Sequence, residues 1–432
     1  FSHFFRLALA FFPCYTLSMK TIGIIAEYNP FHNGHKYQIE KAKELTGADY
    51  VIIAMSGDFV QRGAPALIDK YTRAKMALSC GADLVLELPA LWACSSAEFF
   101  GAAGIALLDK LGIVDMVCFG CEIPNLSAFH QLADFFIEEP ENYRRALSTY
   151  LKEGKNFPTA RALAVSDSLP DTSPEVTDIL RSPNNILALE YCKALRKRES
   201  SMEVLPIQRV GKNYHDTETD SAFSSATGIR KLLQQKADLN NDITSLKGQM
   251  PDVALEILEE ALNCRPLLFE DDFSSLLGFQ LLKEDSFSQY ADVSSDLSNR
   301  IRNTRYSFSS VSSYLDCLYT KEVTFGRLSR MLFHILLGHK EKDYDIYRNL
   351  DYVPYARVLG CSESAAPIWR KLKDKSQIPL ITNLPQAPQL LDAPAMALLE
   401  KDIYASRLYR LAAIQKGKKL LPDEYQQKFL RL

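Results

Sequence analysis

The stretch "IAEYNPFHNGHKYQ", Ile25 to Gln38, places two histidines three positions apart around a glycine, directly after the apolar run "TIGI". That run is short and stops at polar residues, as a buried strand does. "HKYQIEKAKELTG" then shows helical spacing and a closing glycine. The histidines therefore fall at a strand-to-helix turn. In a parallel α/β sheet, ligands bind outside the carboxyl ends of the strands, where helix N-termini present free backbone N–H groups. His32 and His35 can face the same way on a first helical turn, each donating a hydrogen bond to a phosphate oxygen. A metal pair would want a third protein ligand and a wider helical spacing, as in H-E-x-x-H. Two ordinary surface histidines at a helix start are the plain alternative. Pro30 disfavours helical backbone at Asn29, and Gly34 leaves the backbone open to a closely approaching ligand.

The strand-helix unit repeats. "YVIIAMSG", "ADLVLELP" and "VDMVCFGC" are further short apolar runs stopped by Gly or Pro, separated by "IDKYTRAKMALSCG" and "SAEFFGAAGIALLDKLG" with helical spacing. A helix "NNILALEYCKALRK" follows Pro183, and "MEVLPIQRVG" offers one more strand near residue 210. This alternation implies an α/β fold with a Rossmann-like parallel sheet flanked by helices. After "FSSATGIRKLLQQ" it stops, and Leu-rich stretches such as "VALEILEEALN" and "FGRLSRMLFHILLG" take over. The expected division is an α/β domain over 19–235 and a mainly α-helical region over 236–432.

At 432 residues and 47% hydrophobic content the chain can bury substantial cores. Its nine cysteines are scattered without the dense spacing of a disulfide framework, which favours reduced thiols and the cytoplasm. The close pair Cys118 and Cys121 lacks the second pair or histidines that a zinc site needs, so no metal site is assigned. Residues 1–18 begin without Met and carry an apolar run too short to span a bilayer; they read as a non-native extension upstream of Met19, and no membrane association is expected. Residues 1–300 hold 29 Lys+Arg against 40 Asp+Glu, whereas residues 301–432 hold 21 against 13. The basic last third points to a polyanionic partner, although solvated helix faces can give the same count.

"HNGH" at His32 to His35 resembles the HxGH signature of the nucleotidyltransferase superfamily. "GIIAEYNPFHNGH", "MSGDFVQRGAPALIDKYTRAKMAL", "ADLVLELP" and "SPNNILALEY" together resemble the tRNA(Met) cytidine acetate ligase family, over nearly everything from Met19 onward. The resemblance implies that ATP and acetate give acetyl-adenylate, and that the N4 amine of the wobble cytidine (position 34) of elongator tRNA(Met) takes the acetyl group to form N4-acetylcytidine. It implies an ATP site made of Ile25, Ala26, Glu27, Tyr28, Asn29, Pro30, Phe31, His32, Asn33, Gly34, His35, Lys36, Tyr37 and Gln38, with His32 and His35 catalytic and Mg²⁺ on the polyphosphate. Gly120, Asn184 and Arg209 are the implied distant contributors. Locally, Gly120 also reads as a turn glycine, Asn184 as a helix cap and Arg209 as a surface cation. "SSATGIR" resembles the superfamily's second signature, with Ser225, Thr227 and Arg230 set for phosphates, although capping explains Ser and Thr equally. Two departures stand out: Asn29 where many superfamily members carry Asp, and no KMSKS loop, which argues against an aminoacyl-tRNA synthetase.

In this reading the basic region binds tRNA. "TKEVTFGRLSR" (Lys321, Arg327, Arg330), "WRKLKDK" (Arg370, Lys371, Lys373, Lys375) and "KGKK" (Lys416–Lys419) would meet phosphates, with Trp369 or Tyr355 for base stacking. The competing readings are a small-molecule adenylyltransferase that makes a nucleotide cofactor, and a non-catalytic nucleotide- or RNA-binding protein. The sequence leaves the oligomeric state open.

Overall fold

The computed structural model describes residues 19–169, 174–210, 225–236, 243–417 and 421–432. Residues 1–18 lie outside them, as do Ser224, Lys418 and Lys419. The strands before residue 210 are β1 (Thr21–Ala26), β2 (Tyr50–Ser56), β3 (Phe59–Val60), β4 (Ala64–Pro65), β5 (Leu84–Leu88), β6 (Met116–Cys121) and β7 (Glu203–Gln208). All the apolar runs singled out above become strands of one sheet. β1 and β2 are buried nearly end to end, because helices cover both faces of a parallel sheet. β3 and β4 form a separate small hairpin.

β1 pairs in parallel with β2 on one side and with β6 on the other. The chain thus runs from β1 outward through β2 to β5, then returns to build β6 and β7 on the far side. Such a reversal leaves a crevice at the carboxyl ends of the two strands that flank it. Helix α1 (Asn33–Thr46) starts at that crevice and stops where Gly47 takes a left-handed conformation with φ 65°.

The expected break near residue 235 is not where the cores divide. β8 (Ala356–Cys361) pairs antiparallel with β5, and β9 (Leu380–Ile381) and β10 (Leu430–Arg431) each pair in parallel with β8. The region read as mainly helical therefore completes the sheet of the first domain. "ARVLGC" is a lone apolar run among Leu-rich helices, and run length and composition alone cannot separate a six-residue strand from a buried helical turn. The helix Asp252–Leu262 likewise packs Leu255 and Leu258 into the core beneath α1. A separate helical core does exist, around Phe273, Phe287, Phe333 and Tyr409. The 23-residue helix Ala393–Gln415 joins the two, placing Leu399 and Ile403 in the sheet core and Leu408 and Ala412 in the helical one.

Beside that helix the fold buries a charge network. Lys70 is fully buried; its Nζ lies 2.7 Å from Glu87 and 3.2 Å from Glu424, and donates to Ser406 at 2.8 Å. Arg357 in β8 bonds Glu424 and donates to the Tyr71 hydroxyl. Burial alone would raise the Glu424 carboxyl, but Lys70 and Arg357 overcome it and hold the group down to about 2. Removing one partner of such a set strands the others. Lys70→Met is expected to destabilise the fold by about 3–5 kcal/mol, read from the urea midpoint. The share that Glu424 contributes is present above its ordinary value of about 4.5 and is lost as pH falls towards 2, so acid unfolding of Lys70→Met should be less steep over that window.

Candidate nucleotide site

His32 is the N-cap of α1. Its Nδ1 accepts the backbone N–H of Gly34 at 3.0 Å, and Nδ1 of His35 accepts the N–H of His32 itself at 3.3 Å. An imidazole nitrogen that accepts an N–H carries no proton, so in the neutral ring the proton sits on Nε2. Both rings therefore offer an Nε2–H. They stack with centroids 3.8 Å apart and planes 24° from parallel. Burial drives His32 down to about 3, with the Arg209 and Arg230 cations adding to it, and burial with the facing His32 lowers His35 well below the ordinary value. The pair is neutral at physiological pH.

A cleft of about 260 Å³ opens in front of these rings, at the carboxyl ends of β1 and β6. Arg230, on the helix Ala226–Lys236, donates from one Nη to the Asn29 carbonyl at 2.7 Å and from the other to Thr227 Oγ1 at 3.2 Å. Ser225 Oγ accepts the Gly228 N–H. Two helix N-termini and the cations Arg209 and Arg230 thus converge on one cleft, an arrangement that favours an anion. On the β6 side the lining becomes apolar with Phe119, Gly120, Pro183, Leu187 and Tyr191. A Cβ on Gly120 would meet Arg209 Cγ at 3.3 Å, so the strand end is tight against that side chain. The Tyr191 hydroxyl is buried without a partner among the described residues.

Of the residues singled out in the sequence, Ile25, Ala26, Glu27, Tyr28, Asn29, His32, His35, Gln38, Gly120, Asn184, Arg209, Ser225, Thr227 and Arg230 line the cleft. Gly34 and Tyr37 line a smaller pocket beside it, reached past His32 and Arg209. Pro30, Phe31, Asn33 and Lys36 line neither. Phe31 is fully buried in the core, Asn33 donates to the Gly248 carbonyl, and Lys36 lies 3.7 Å from Glu40. Asn29 is buried too, its Oδ1 accepting the Leu67 N–H. Asn184 does not cap its helix; its amide donates to Glu122 at 2.6 Å.

The basic runs are dispersed. Arg330 holds Asp292 at 3.0 Å and Arg327 donates to the Asp292 carbonyl, so both serve the helical region's own packing. Lys371 donates to the carbonyl of Met19, just ahead of β1, which puts Arg370, Lys371 and Lys373 at the opposite end of the sheet from the cleft. Tyr355 is 1% exposed and bonded to Asp402, so it cannot stack on a base. Residues that the sequence reading passed over include Gln61 and Arg62 at the hairpin tip, Phe100, Tyr191 and Glu270 in the lining, and the buried Arg73 behind it. "GDFVQRGAP" carried a signal for the hairpin, since a glycine between two short apolar pieces punctuates them as a turn.

Switch-point crevice, paired imidazoles and a second Ser/Thr helix start define a nucleotidyltransferase, and residues 19–423 match the family model described as HIGH Nucleotidyl Transferase. Among curated proteins, the tRNA(Met) cytidine acetate ligase of a Thermoanaerobacter species is 40% identical over 396 residues, 91% of this chain and 96% of that one. The protein of the same name from Clostridium kluyveri is 39% identical over 401 residues, 91% of this chain and 95% of that one. Thermotoga maritima TmcAL bound with alpha-thio ATP superposes with a TM-score of 0.87 at 31% identity, covering 96% of this chain and 100% of that one. The chain belongs to the tRNA(Met) cytidine acetate ligase family.

At His32 the capping nitrogen and the outward N–H are separable. His32→Asn keeps a good N-cap and should stay within a few tenths of a kcal/mol of the parent, whereas His32→Ala should lose about 1 kcal/mol. Both remove the imidazole Nε2–H, whose reach the shorter Asn amide does not match, and both should slow ATP-dependent adenylation about 10²-fold. In the free protein, imidazole nitrogen shifts followed by NMR should report Nε2–H tautomers for both rings with no titration between pH 6 and 8, since charging begins only far below 6.5.

Proposed function

We propose that this protein activates acetate with ATP as acetyl-adenylate and transfers the acetyl group to N4 of the wobble cytidine, position 34, of elongator tRNA(Met). The observation that carries the reading is the pair of neutral imidazole donors facing Arg209 and Arg230 across the switch-point cleft. Acetate is a poor acyl donor because its oxygen leaves badly, and joining that oxygen to the α-phosphate makes it a good leaving group. The chain's part is to bind, orient and stabilise charge. His32 and His35 donate Nε2–H to phosphate oxygens, Arg209, Arg230 and Thr227 hold the leaving pyrophosphate, and the apolar β6 side takes the nucleoside against Gly120. No covalent nucleophile is required. Among the described residues no cluster of three His, Cys, Asp or Glu side chains could hold a metal. Mg²⁺ is bound chiefly by phosphates and water and would supply charge neutralisation on the polyphosphate.

The second substrate must present an exocyclic amine, and an anticodon base can be unstacked at modest cost because it is single-stranded. Among the described residues no helix is long and apolar enough to cross a membrane; a tRNA substrate supports a cytoplasmic reading. The run "TKEVTFGRLSR" lies against the cleft's outer wall, since Ser329 donates to the Gly63 carbonyl on the hairpin that lines it. Arg370, Lys371 and Lys373 would meet the same tRNA only by its wrapping round the sheet.

Purified protein with ATP, labelled acetate and total tRNA is expected to label one tRNA species, elongator tRNA(Met), and to catalyse acetate-dependent pyrophosphate exchange without RNA. Label in no tRNA would defeat the reading. Exchange that needed a phosphorylated metabolite in place of acetate would favour a cofactor-making adenylyltransferase.

A further inference from the structure

A groove runs from the nucleotide cleft outward between the β3–β4 hairpin and the helix Phe325–Leu337. Cleft and groove share Arg62, Ala64 and Glu270 in their lining, so one opens into the other at that neck. Beside the groove's outer wall two rings lie in the open: Phe325, which lines it, is 46% exposed and Tyr319 is 49% exposed, with centroids 5.0 Å apart and planes 32° from parallel. Adjacent exposed aromatics offer faces on which an unstacked base can rest, worth about 1–3 kcal/mol per base.

At the neck, three consecutive acids behave differently. Asp271 accepts from the backbone and hydroxyl of Ser312 at 2.7 and 2.6 Å, and Asp272 pairs with Lys416 at 2.8 Å. Glu270, between cleft and groove, has neither a hydrogen bond nor an ion pair among the described residues, although the Arg230 charge lies in its field. The other carboxylate close to the hairpin, Glu27, is already engaged by the Gln61 N–H at 2.9 Å. A carboxylate is the side chain that accepts from a cytosine exocyclic amine.

We propose that this groove admits the single-stranded target nucleotide to the acyl-adenylate, and that Glu270 at its neck is a catalytic residue of the second step, accepting the amine proton. The inference rests on the function proposed above. The N4 lone pair attacks the acyl carbon and the N–C bond forms. The bond from that carbon to the phosphate-bound oxygen breaks, and AMP leaves with the electron pair. The proton released from nitrogen passes to the Glu270 carboxylate and from there to water.

Two half-reactions separate this proposal from its premise: acetate-dependent pyrophosphate exchange reports adenylation, and single-turnover acetylation of an elongator tRNA(Met) transcript reports transfer. Glu270→Gln should slow transfer by about 10²-fold, as expected for loss of a general base, and by at least about 10-fold more than it slows exchange. Its remaining transfer should lose the acid limb of the pH-rate profile, and Glu270→Asp should recover part of the rate. Phe325→Ala should raise the KM for tRNA about 10-fold with exchange unchanged, and Phe325→Trp should restore it. Transfer at the parent rate in both Glu270→Gln and Phe325→Ala would overturn the groove, and a parallel loss of exchange in Glu270→Gln would move that residue into adenylation and overturn its assigned role. If the parent protein shows no exchange, it is the underlying function that fails, and this inference with it.

Discussion

A backbone N–H in the first turn of a helix can donate to an imidazole only at a nitrogen that carries no proton. The opening of α1 uses that rule twice, with Gly34 donating to His32 and His32 donating to His35. One pair of bonds caps the helix, fixes both tautomers and aims both remaining N–H groups outward. The rings are held by packing as well as by these bonds: Tyr28 and Phe31 each lie against His35, at 4.8 and 5.5 Å between centroids, and Phe31 is wholly buried. The same packing excludes water, which keeps the imidazoles uncharged. Neutral donors suit a site that must release pyrophosphate and AMP, since a pair of imidazolium ions would hold the products as firmly as the transition state.

The cap works only if the segment before it is placed with equal care, and a buried cation places it. Arg73 is wholly buried on the helix Lys70–Ser79 and donates to the carbonyls of Ile68 and Ser56 at 3.0 Å, and to those of Glu27 and Gly57. Four carbonyl dipoles thus solvate one guanidinium, and the end of β1 is tied to the end of β2. The tie extends to the helical region through Gly63, which adopts φ 69° and lies so near Arg330 that a Cβ would come within 2.3 Å of its backbone. Glycine at that position lets the hairpin press on the helix Phe325–Leu337, so cleft and helical core share a wall.

What the sequence could disclose follows from how local each feature is. The strands β1, β2, β5 and β6 declare themselves because each is an uninterrupted apolar run closed by Gly, Pro or a polar turn, and the histidine turn is legible because strand, turn and helix are contiguous. β8 was not legible: its nearby partner β9 is only two residues long, and its pairing with β5 joins residues some 270 positions apart. The cleft's far wall was hidden for the same reason. Glu270 sits in a run of three acids that local reading would leave in solvent, and only the fold brings it to the neck that Arg62 also lines. Tyr355 shows the converse error, an aromatic credited to a surface that the fold buries against Asp402.

The charge asymmetry deserves a second physical reading. The basic excess beyond residue 300 looks like an RNA-binding surface, yet several of its cations meet acids contributed by the rest of the chain. Arg357 lies 3.4 Å from Glu87, Lys416 lies 2.8 Å from Asp272, and Arg330 lies 3.0 Å from Asp292. These pairs join acids from before residue 300 to bases from beyond it, and net charge summed over a segment counts such paired groups as if they were free. The cations that face the cleft, Arg62, Arg209 and Arg230, come instead from the half with the acidic surplus. Where guanidinium groups gather round the cleft is therefore set by the two helix starts and the hairpin rather than by regional composition.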